Sequence, residues 1–494
     1  MIFNSFQFAY FFLAVWFVVA VLLRPRTVRL LLPRVSRLAV IETRNVFLLA
    51  ASYVFYGAWD WRFLGLLMLS TTNDFVLGRA MSNTTDARRR RLYITLSVTA
   101  NLCLLGFFKY FNFFADSFAA LCQALGVEVR PLTLQVILPV GISFYTFQSL
   151  AYTIDVYRGT LKAEKNPLRF AAFVAFFPQL VAGPIERPRL LIPQFLHMRH
   201  VTWERVSTGS FLMGVGLFKK VVIADTAARV ADAAFALQQP TGLQVLLGVY
   251  AFAFQIYADF SGYSDIARGA ARCLGFELSR NFNMPYFSAS PSEFWTRWHI
   301  SLSSWLRDYL YIPLGGNRKG RGRTYLNLML TMLLGGLWHG AAWTYILWGA
   351  LHGLVLCLYR AVQVPVERWA ERQAALVRRA LRVLAVVGFF HLVCVSWLFF
   401  RAKSAAQAFQ MFGALVSRPT SDLVEALAAL GPFWPTAVLV SGLLVVQLLQ
   451  YWRDDSWLVF RAPAPVRGLI YAVGFVLFVW IGEDGGATFI YFQF

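Results

Sequence analysis

Charged residues are scarce in this chain. Aspartate, glutamate, lysine and arginine together make up 14% of its 494 residues, whereas a typical soluble domain has about 25%. Hydrophobic residues reach 58%, and runs of about 20 apolar residues, the length that crosses a bilayer, recur throughout the sequence. This composition excludes a conventional soluble protein. We predict an all-α, polytopic transmembrane helical bundle that forms a single domain over residues 1–494.

Acidic residues are the scarcer charge, with 25 against 46 basic residues and a net charge of +21. The basic residues fall in short clusters between apolar runs, which is the positive-inside pattern of cytoplasmic loops. We therefore exclude nucleic acid as a partner and expect membrane lipids instead. The strongest cluster, DARRRR at residues 86–91, follows three predicted crossings and so predicts an extracytoplasmic N-terminus.

The chain also lacks the common catalytic and metal-binding motifs. Its five cysteines are scattered and form no CxxC pair. No histidine spacing matches HExxH, and neither a GxSxG turn nor the P-loop motif GxxxxGK[ST] is present. We therefore predict no metal site and no tightly bound cofactor.

The apolar runs predict about eleven to thirteen membrane segments, some of them re-entrant. The clearest spans are residues 6–23, 45–58, 63–78, 92–108, 134–156, 209–224, 243–257, 383–400, 435–449 and 466–481. Residues 170–182 are too few to span and end at prolines, which indicates a re-entrant or interfacial helix. Residues 24–44 and 367–382 are basic and amphipathic, typical of helices at the cytoplasmic surface. Within 134–156, five polar residues should face the bundle rather than lipid: Ser143, Tyr145, Thr146, Gln148 and Ser149.

Residues 293–352 form the predicted catalytic core, because they concentrate histidine and tryptophan in an otherwise apolar chain. His339 lies in GGLWHGAAW, where an imidazole can take a proton from a hydroxyl and the glycines allow backbone or substrate to approach closely. The alternative is a packed histidine that hydrogen-bonds between helices; polar groups are costly in a membrane, which favours the functional interpretation.

His299 lies in EFWTRWHISLSSW. A continuous helix there would place Trp295, Trp298 and Trp305 on one face, with His299 beside it and Arg297 and Ser301 near its other edge. The alternative is an aromatic belt at the membrane interface. His352 follows His339 by thirteen residues, about 20 Å along a continuous helix, so the two could not act on the same atom unless the helix breaks. We therefore predict a structural role for His352.

The basic turn LGGNRKGRGR offers a candidate loop for a donor phosphate, formed by Asn317, Arg318, Lys319 and Arg321. An ordinary positive-inside loop explains the same residues and is the favoured interpretation. The functional version would bind the phosphate of a coenzyme A or phosphopantetheine group that arrives from the cytosol.

Several long motifs resemble the membrane-bound O-acyltransferase (MBOAT) family, in the bacterial branch of alginate O-acetylation and teichoic-acid D-alanylation. They are RWHISLSSWLRDYLYIPLGGNRKG, MLLGGLWHGAAWTYILWGALHG, VGISFYTFQSLAYTIDVYRG, FPQLVAGPIERP, YADFSGYSDIARGAARCLGF, NFNMPY and the final FIYFQF. The resemblance implies a catalytic histidine at His339, a second motif histidine at His299 and a central tunnel through the membrane. Expected substrate or tunnel residues are Tyr257, Asp259, Asn281, Trp295, Arg297, Trp298, Ser301, Trp305, Asp308, Trp338 and Trp343.

The resemblance also implies the reaction. An acyl group, acetyl by preference, would pass from acetyl-CoA or an acyl carrier protein to a hydroxyl of an extracytoplasmic polysaccharide, or to a periplasmic esterase-like acetyltransferase partner. His339 would be the general base, and His299, Trp295, Ser301 or Asn281 would help to stabilise the oxyanion. The expected location is the bacterial inner membrane. One alternative is transfer of D-alanine from a carrier protein to teichoic acid. Another is a polysaccharide or lipid transporter or flippase, which the lack of repeats and inverted halves disfavours.

Overall fold

The computed structural model describes residues 1–24, 27–28, 30, 34–130, 132–135, 137–418, 422–482 and 489–490. Within these ranges the regular structure is helical and no strand occurs, which confirms the all-α prediction. The helices are α1 (Phe6–Leu22), α2 (Arg37–Asp60), α3 (Leu64–Ser82), α4 (Ala87–Ala124), α5 (Ile142–Tyr157), α6 (Pro167–Ala175), α7 (Phe177–Leu180), α8 (Pro188–Leu196), α9 (Trp203–Ala236), α10 (Gly242–Cys273), α11 (Pro291–Trp295), α12 (Ile300–Leu306), α13 (Gly320–His339), α14 (Trp343–Glu371), α15 (Ala375–Arg401), α16 (Ala405–Ser417), α17 (Leu423–Leu430), α18 (Trp434–Arg453), α19 (Leu458–Arg461) and α20 (Ala464–Ile481).

Eight stretches in the described part of the chain are long and apolar enough to cross a membrane. They are Arg37–Ser82, Ala87–Ala124, Trp203–Ala236, Gly242–Cys273, Trp343–Glu371, Ala375–Arg401, Trp434–Arg453 and Ala464–Ile481. The protein is therefore a multi-pass membrane protein. Eight is fewer than the number of membrane segments predicted, partly because the 46 residues of Arg37–Ser82 contain two helices, α2 and α3.

The helices are generally longer than the apolar runs that predict them. The predicted span at 134–156 is an exception, because its helix α5 begins only at Ile142, after Gly141 adopts a left-handed φ of 77°. The five polar residues of α5 are buried, which confirms that they face protein. The run at 170–182 does not form a spanning helix: it divides between α6 and α7, and both are buried.

One predicted surface helix is wrong. Residues 367–382 do not form a separate amphipathic helix, because α14 continues to Glu371 and α15 begins at Ala375. The other predicted surface segment, residues 24–44, lies partly outside the described residues. Its end, from Arg37 onward, is the start of α2.

The chain divides into two compact units. Unit 1 contains residues 1–213 and 264–279, and unit 2 contains residues 214–263 and 280–494. In unit 1, the buried carboxylate of Asp74 on α3 accepts hydrogen bonds from Ser97 (2.7 Å) and Asn101 (2.8 Å) of α4. In unit 2, α13 and α14 form a helical hairpin that carries His339. The single-domain assignment stays a prediction.

Candidate active site

The α13–α14 hairpin is held together by glycines. A Cβ at Gly336 would collide with the carbonyl oxygen of Tyr345, and one at Gly349 would collide with the carbonyl oxygen of Met332. The absence of these side chains lets the two helix backbones touch, as small residues do between membrane helices. The sequence predicts that either backbone or substrate approaches the glycines around His339 closely. At Gly336, the group that approaches is the backbone of the facing helix.

His339 is the last residue of α13, and Gly340 follows it in extended conformation (φ −163°, ψ 153°). The imidazole is 4% exposed. Aromatic rings contact it edge-to-face: Trp338 and Trp348 at centroid distances of 5.1 Å, and Phe400 of α15 at 5.3 Å. These rings keep bulk water away from a group that can accept a proton.

His299 does not lie on a continuous helix, so the predicted face of Trp295, Trp298 and Trp305 is wrong. Helix α11 ends at Trp295, and His299 precedes α12 in a left-handed conformation with φ 41° and ψ 54°. Such a backbone costs on the order of 1–3 kcal/mol for a residue with a side chain, and it persists only where the surroundings fix it.

Asn281 supplies that fixation. Its side-chain oxygen accepts hydrogen bonds from the Ser301 amide (3.2 Å) and hydroxyl (3.0 Å), and its main-chain oxygen accepts from the Ile300 amide (2.9 Å). The same side-chain oxygen lies 3.1 Å from Nδ1 of His299, which assigns the ring proton to Nδ1. Burial lowers the pKa of His299 to about 3, so the ring is neutral.

Trp338 connects the two histidines. Its ring lies 5.9 Å from that of His299 and 5.1 Å from that of His339. On its other side, His299 meets Phe260 of α10 at 4.7 Å in a T-shaped contact. The structure thus brings His299, Trp338 and His339 together, although they lie up to forty residues apart in the sequence.

Other predicted residues form a second aromatic layer in unit 2. Trp298 is 1% exposed and contacts Phe282 (5.1 Å) and Tyr257 (6.2 Å). The hydroxyl of Tyr257 accepts a hydrogen bond from Gln447 at 2.8 Å. Trp295 contacts Trp348 at 5.8 Å, and Trp348 in turn contacts His339.

The remaining predicted tunnel residues have other neighbours in the structure. Trp343 is 58% exposed at the start of α14, so it does not belong to the enclosed ring cluster. Arg297 forms an ion pair with Glu293 at 3.0 Å, and Asp308 forms one with Arg307 at 2.8 Å.

Trp305 is buried beside Tyr309, at a centroid distance of 5.1 Å. The candidate phosphate loop of residues 317–321 is exposed throughout.

The predicted distance between His339 and His352 is wrong, although the structural role of His352 stays a prediction. The helix breaks between His339 and Trp343, so Trp348 contacts both His339 (5.1 Å) and His352 (4.7 Å). The Ser396 hydroxyl donates to the Val393 carbonyl at 2.6 Å, so it accepts from Nε2–H of His352 at 3.0 Å.

Asp259 belongs to an ion cluster that the sequence revealed only in part. Lys220 of α9 lies 2.8 Å from both Asp225 and Asp259, and all three residues are buried. The second oxygen of Asp259 accepts the main-chain amide of Ile490 at 2.7 Å. Of these three residues, only Asp259 was predicted from the sequence; pairing it with Lys220 and Asp225 required the three-dimensional structure. The segment Lys219–Ala224 is π-helical, a rare form that often occurs at functional sites.

A separate apolar cavity of about 430 Å³ lies between α10, α15 and α18. Its walls include Tyr250, Phe254, Tyr286, Phe390 and His391. Neither His299 nor His339 lines it. Within the described residues, no group of three or more His, Cys, Asp or Glu side chains is arranged to hold a metal ion.

The described structure is that of a multi-pass helical membrane protein in which aromatic rings enclose a buried imidazole at the end of a helix. The sequence pattern of MBOAT, the membrane-bound O-acyltransferase family, matches residues 163–394, which include Asn281, His299 and His339.

Three similar proteins make the relationship specific. The chain is 45% identical to the Pseudomonas putida protein described as "Probable alginate O-acetylase AlgI", over 91% of this chain and 94% of that protein. It is 48% identical to the Azotobacter vinelandii protein of the same description, over 76% and 73% of the two chains. It is 36% identical to the "Peptidoglycan O-acetyltransferase" of Helicobacter pylori, over 75% and 73%.

The chain belongs to the membrane-bound O-acyltransferase family, and it is a membrane O-acyltransferase. The resemblance predicted from the motifs is confirmed, as is the prediction of an enzyme. The transporter alternative has no support among these relatives. The roles of the individual histidines stay predictions.

Proposed function

We propose that this enzyme transfers an acetyl group from a cytosolic thioester donor to a hydroxyl on the other side of the membrane, with His339 as general base. One observation supports this above all: the imidazole of His339 is 4% exposed and enclosed by Trp338, Trp348 and Phe400. The acetyl group is inferred from the relatives, whose names include O-acetylase and O-acetyltransferase.

In the proposed reaction, His339 takes the proton of the acceptor hydroxyl while the hydroxyl oxygen bonds to the thioester carbonyl carbon. The tetrahedral intermediate then collapses and the carbon–sulfur bond breaks. The thiolate leaves with the proton that the imidazolium returns, so the products are the ester and a free thiol. No redox step or metal is needed, and the only cofactor chemistry is that of the thioester donor itself.

His299 has a positioning role in this proposal. With its Nδ1 proton donated to Asn281, its Nε2 has no proton to offer an oxyanion. Its ring instead packs on Trp338, which is part of the wall around His339. A water-free wall protects the thioester from hydrolysis, which is the competing reaction.

The proposed acceptor is an extracytoplasmic polysaccharide, reached either directly or through the serine of a periplasmic esterase-like partner. We favour the second route. The proposal includes a bacterial inner-membrane location and an extracytoplasmic N-terminus. The charge clusters support this orientation, and Glu42, in the segment predicted at the cytoplasmic surface, forms an ion pair with Arg169 at 2.7 Å.

The test uses purified enzyme in lipid vesicles with radiolabelled acetyl-CoA, an acceptor polysaccharide and the partner protein. His339→Ala should abolish acetyl transfer while donor binding is retained. His391→Ala, which removes a membrane histidine remote from the ring cluster, is the matched control and should transfer normally. Full transfer by a folded His339→Ala enzyme would reject the assignment. Labelled D-alanine on a carrier protein, supplied in parallel, distinguishes the D-alanyl alternative.

A further inference from the structure

One turn in unit 1 is surrounded by more positive charges than its single carboxylate can neutralise. The turn is Gly275–Phe276–Glu277, directly after α10. Four arginines surround it: Arg44, Arg199, Arg205 and Arg272. We call Arg44, Arg199 and Arg205, together with this turn, the arginine cluster.

The one carboxylate of the turn is largely engaged. Arg272 donates to both oxygens of Glu277 at 2.7 Å. Arg205 reaches the same carboxylate only at 3.9 Å, and its Nη1 donates to the Gly275 carbonyl at 2.5 Å. One negative charge is therefore shared between two arginines, and Arg44 and Arg199 obtain none of it by direct contact.

Arg44 is the most enclosed of the four, with 3% exposure. Its guanidinium donates to the His197 carbonyl (3.2 Å) and the Asn45 side-chain oxygen (3.0 Å), and it stands 5.2 Å from the Phe276 ring centroid. These neighbours are all electrically neutral, and the buried Nε has no hydrogen-bond partner. The acid two residues earlier, Glu42, attracts Arg44 only at longer range, because its direct ion pair at 2.7 Å is with Arg169.

A buried charge without a directly bonded counter-charge destabilises the folded state even after the protein relaxes. Carbonyl oxygens and an aromatic face offset part of that cost, and an anion offsets far more. An arginine this deeply buried, with one N–H still unpaired, therefore fits an anionic ligand.

Arg199 adds a second positive group. Its Nε donates to the Gln194 carbonyl at 3.3 Å, and its Cβ would lie 3.0 Å from a Cβ at Gly275. Glycine at that position, with φ 88°, allows Arg199 to come this close. Burial, and then the positive charge of Arg205, lower the pKa of Arg199 below its ordinary value. A bound anion would remove this repulsion.

We propose that Arg44, Arg199 and Arg205 bind a phosphate group on the cytosolic side of the membrane. The inference rests on the proposed function, which brings a thioester donor from the cytosol; coenzyme A and phosphopantetheine both carry phosphate. An anionic phospholipid headgroup presents the same chemistry and is the second source. Guanidinium forks match phosphate oxygens in geometry as well as in charge. The exposed loop at 317–321 is the weaker candidate, because water competes for its side chains.

The experiment measures the Kd of coenzyme A for the full-length enzyme in phosphatidylcholine nanodiscs. The test variant is Arg199→Gln with Arg205→Gln, which leaves the most buried arginine in place. The matched control is Arg88→Gln with Arg91→Gln, which removes two exposed positive charges from the DARRRR cluster. Because the variant loses charge-assisted hydrogen bonds to the phosphate, we expect Kd to rise at least about tenfold in the test variant. We expect less than about threefold in the control.

A second arm repeats the comparison in nanodiscs that contain equal amounts of phosphatidylcholine and phosphatidylglycerol, and it measures which lipid stays bound after delipidation. Loss of bound phosphatidylglycerol with unchanged coenzyme A affinity supports the phosphate site and assigns it to a lipid. Unchanged binding of both ligands, in a variant whose melting temperature matches wild type, overturns the proposal. His339→Ala separates the two proposals, because it should keep coenzyme A affinity even where transfer is lost.

Discussion

Lys220→Met should strongly destabilise this enzyme, because it leaves two buried carboxylates without their shared cation. Lys220 lies 2.8 Å from both Asp225 and Asp259, whose side chains are 6% and 2% exposed. At an effective dielectric constant near 20, each pair attracts by about 6 kcal/mol, and desolvation of three charged groups opposes most of that. Removing one partner of a buried ion pair typically costs about 3–5 kcal/mol, and we expect a loss in that range.

The assay is thermal unfolding of purified protein in detergent, followed by tryptophan fluorescence at a fixed scan rate, since membrane proteins often unfold irreversibly. Lys403→Met, an exposed lysine of the same unit, is the matched control and should change stability by less than about 0.5 kcal/mol. Combining Lys220→Met with Asp225→Asn and Asp259→Asn should recover much of the loss, because no buried charge remains. Two results would refute this expectation. One is a melting temperature of Lys220→Met equal to that of the control, and the other is a triple variant that melts below Lys220→Met alone.

Three further predictions follow from the candidate site. Gly336→Ala should cost about 1–3 kcal/mol of stability by forcing two helix backbones apart, whereas Gly388→Ala, which points into open space, should be neutral or slightly stabilising; equal melting temperatures would contradict this. Asn281→Leu should lower kcat at least about tenfold and leave the donor KM unchanged, because it removes the acceptor that fixes the buried histidine; steady-state kinetics measure both. Ser396→Ala should lower the free energy of unfolding by about 1–3 kcal/mol, because His352 loses its hydrogen-bond acceptor. The rate of transfer per folded molecule should stay unchanged; a fall in that rate would show that His352 acts in catalysis.

The helical bundle was predictable because the length of an apolar run is a local property. Most runs correspond to helices in the structure, and errors occur at their ends. Residues 137–141 are apolar but not helical, since Pro139 and the left-handed Gly141 delay the helix until Ile142. Residues 367–382 have a helical pattern throughout, yet the chain turns between Glu371 and Ala375.

The candidate site was less predictable because its geometry depends on distant residues. The sequence around His299 has a helical pattern, but Asn281, eighteen residues earlier, binds the His299 ring and the two residues that follow it, and His299 has a left-handed backbone. The ring of Phe260, which lies 4.7 Å from that of His299, belongs to α10 and was not predicted as a site residue. His339, by contrast, was visible at once, since a histidine between glycines in an apolar run is unusual by itself.

The wrong distance between His339 and His352 has a single cause. Three residues, Gly340–Ala342, interrupt the helix and reverse the chain, so positions that a straight helix separates by about 20 Å share one tryptophan neighbour. The glycine after His339 was a sign of this break, because glycine commonly ends helices.

Different atoms determine the position of the His339 imidazole and the shape of the space around it. Main-chain atoms of two helices set where His339 stands, while Trp348 and Phe400 contribute only side chains to the enclosure. Phe400 belongs to a third helix, so a smaller residue there would enlarge the enclosure without moving the hairpin. An engineer who wants this enzyme to accept a bulkier acyl group should therefore vary Phe400 first and leave Gly336 and Gly349 untouched.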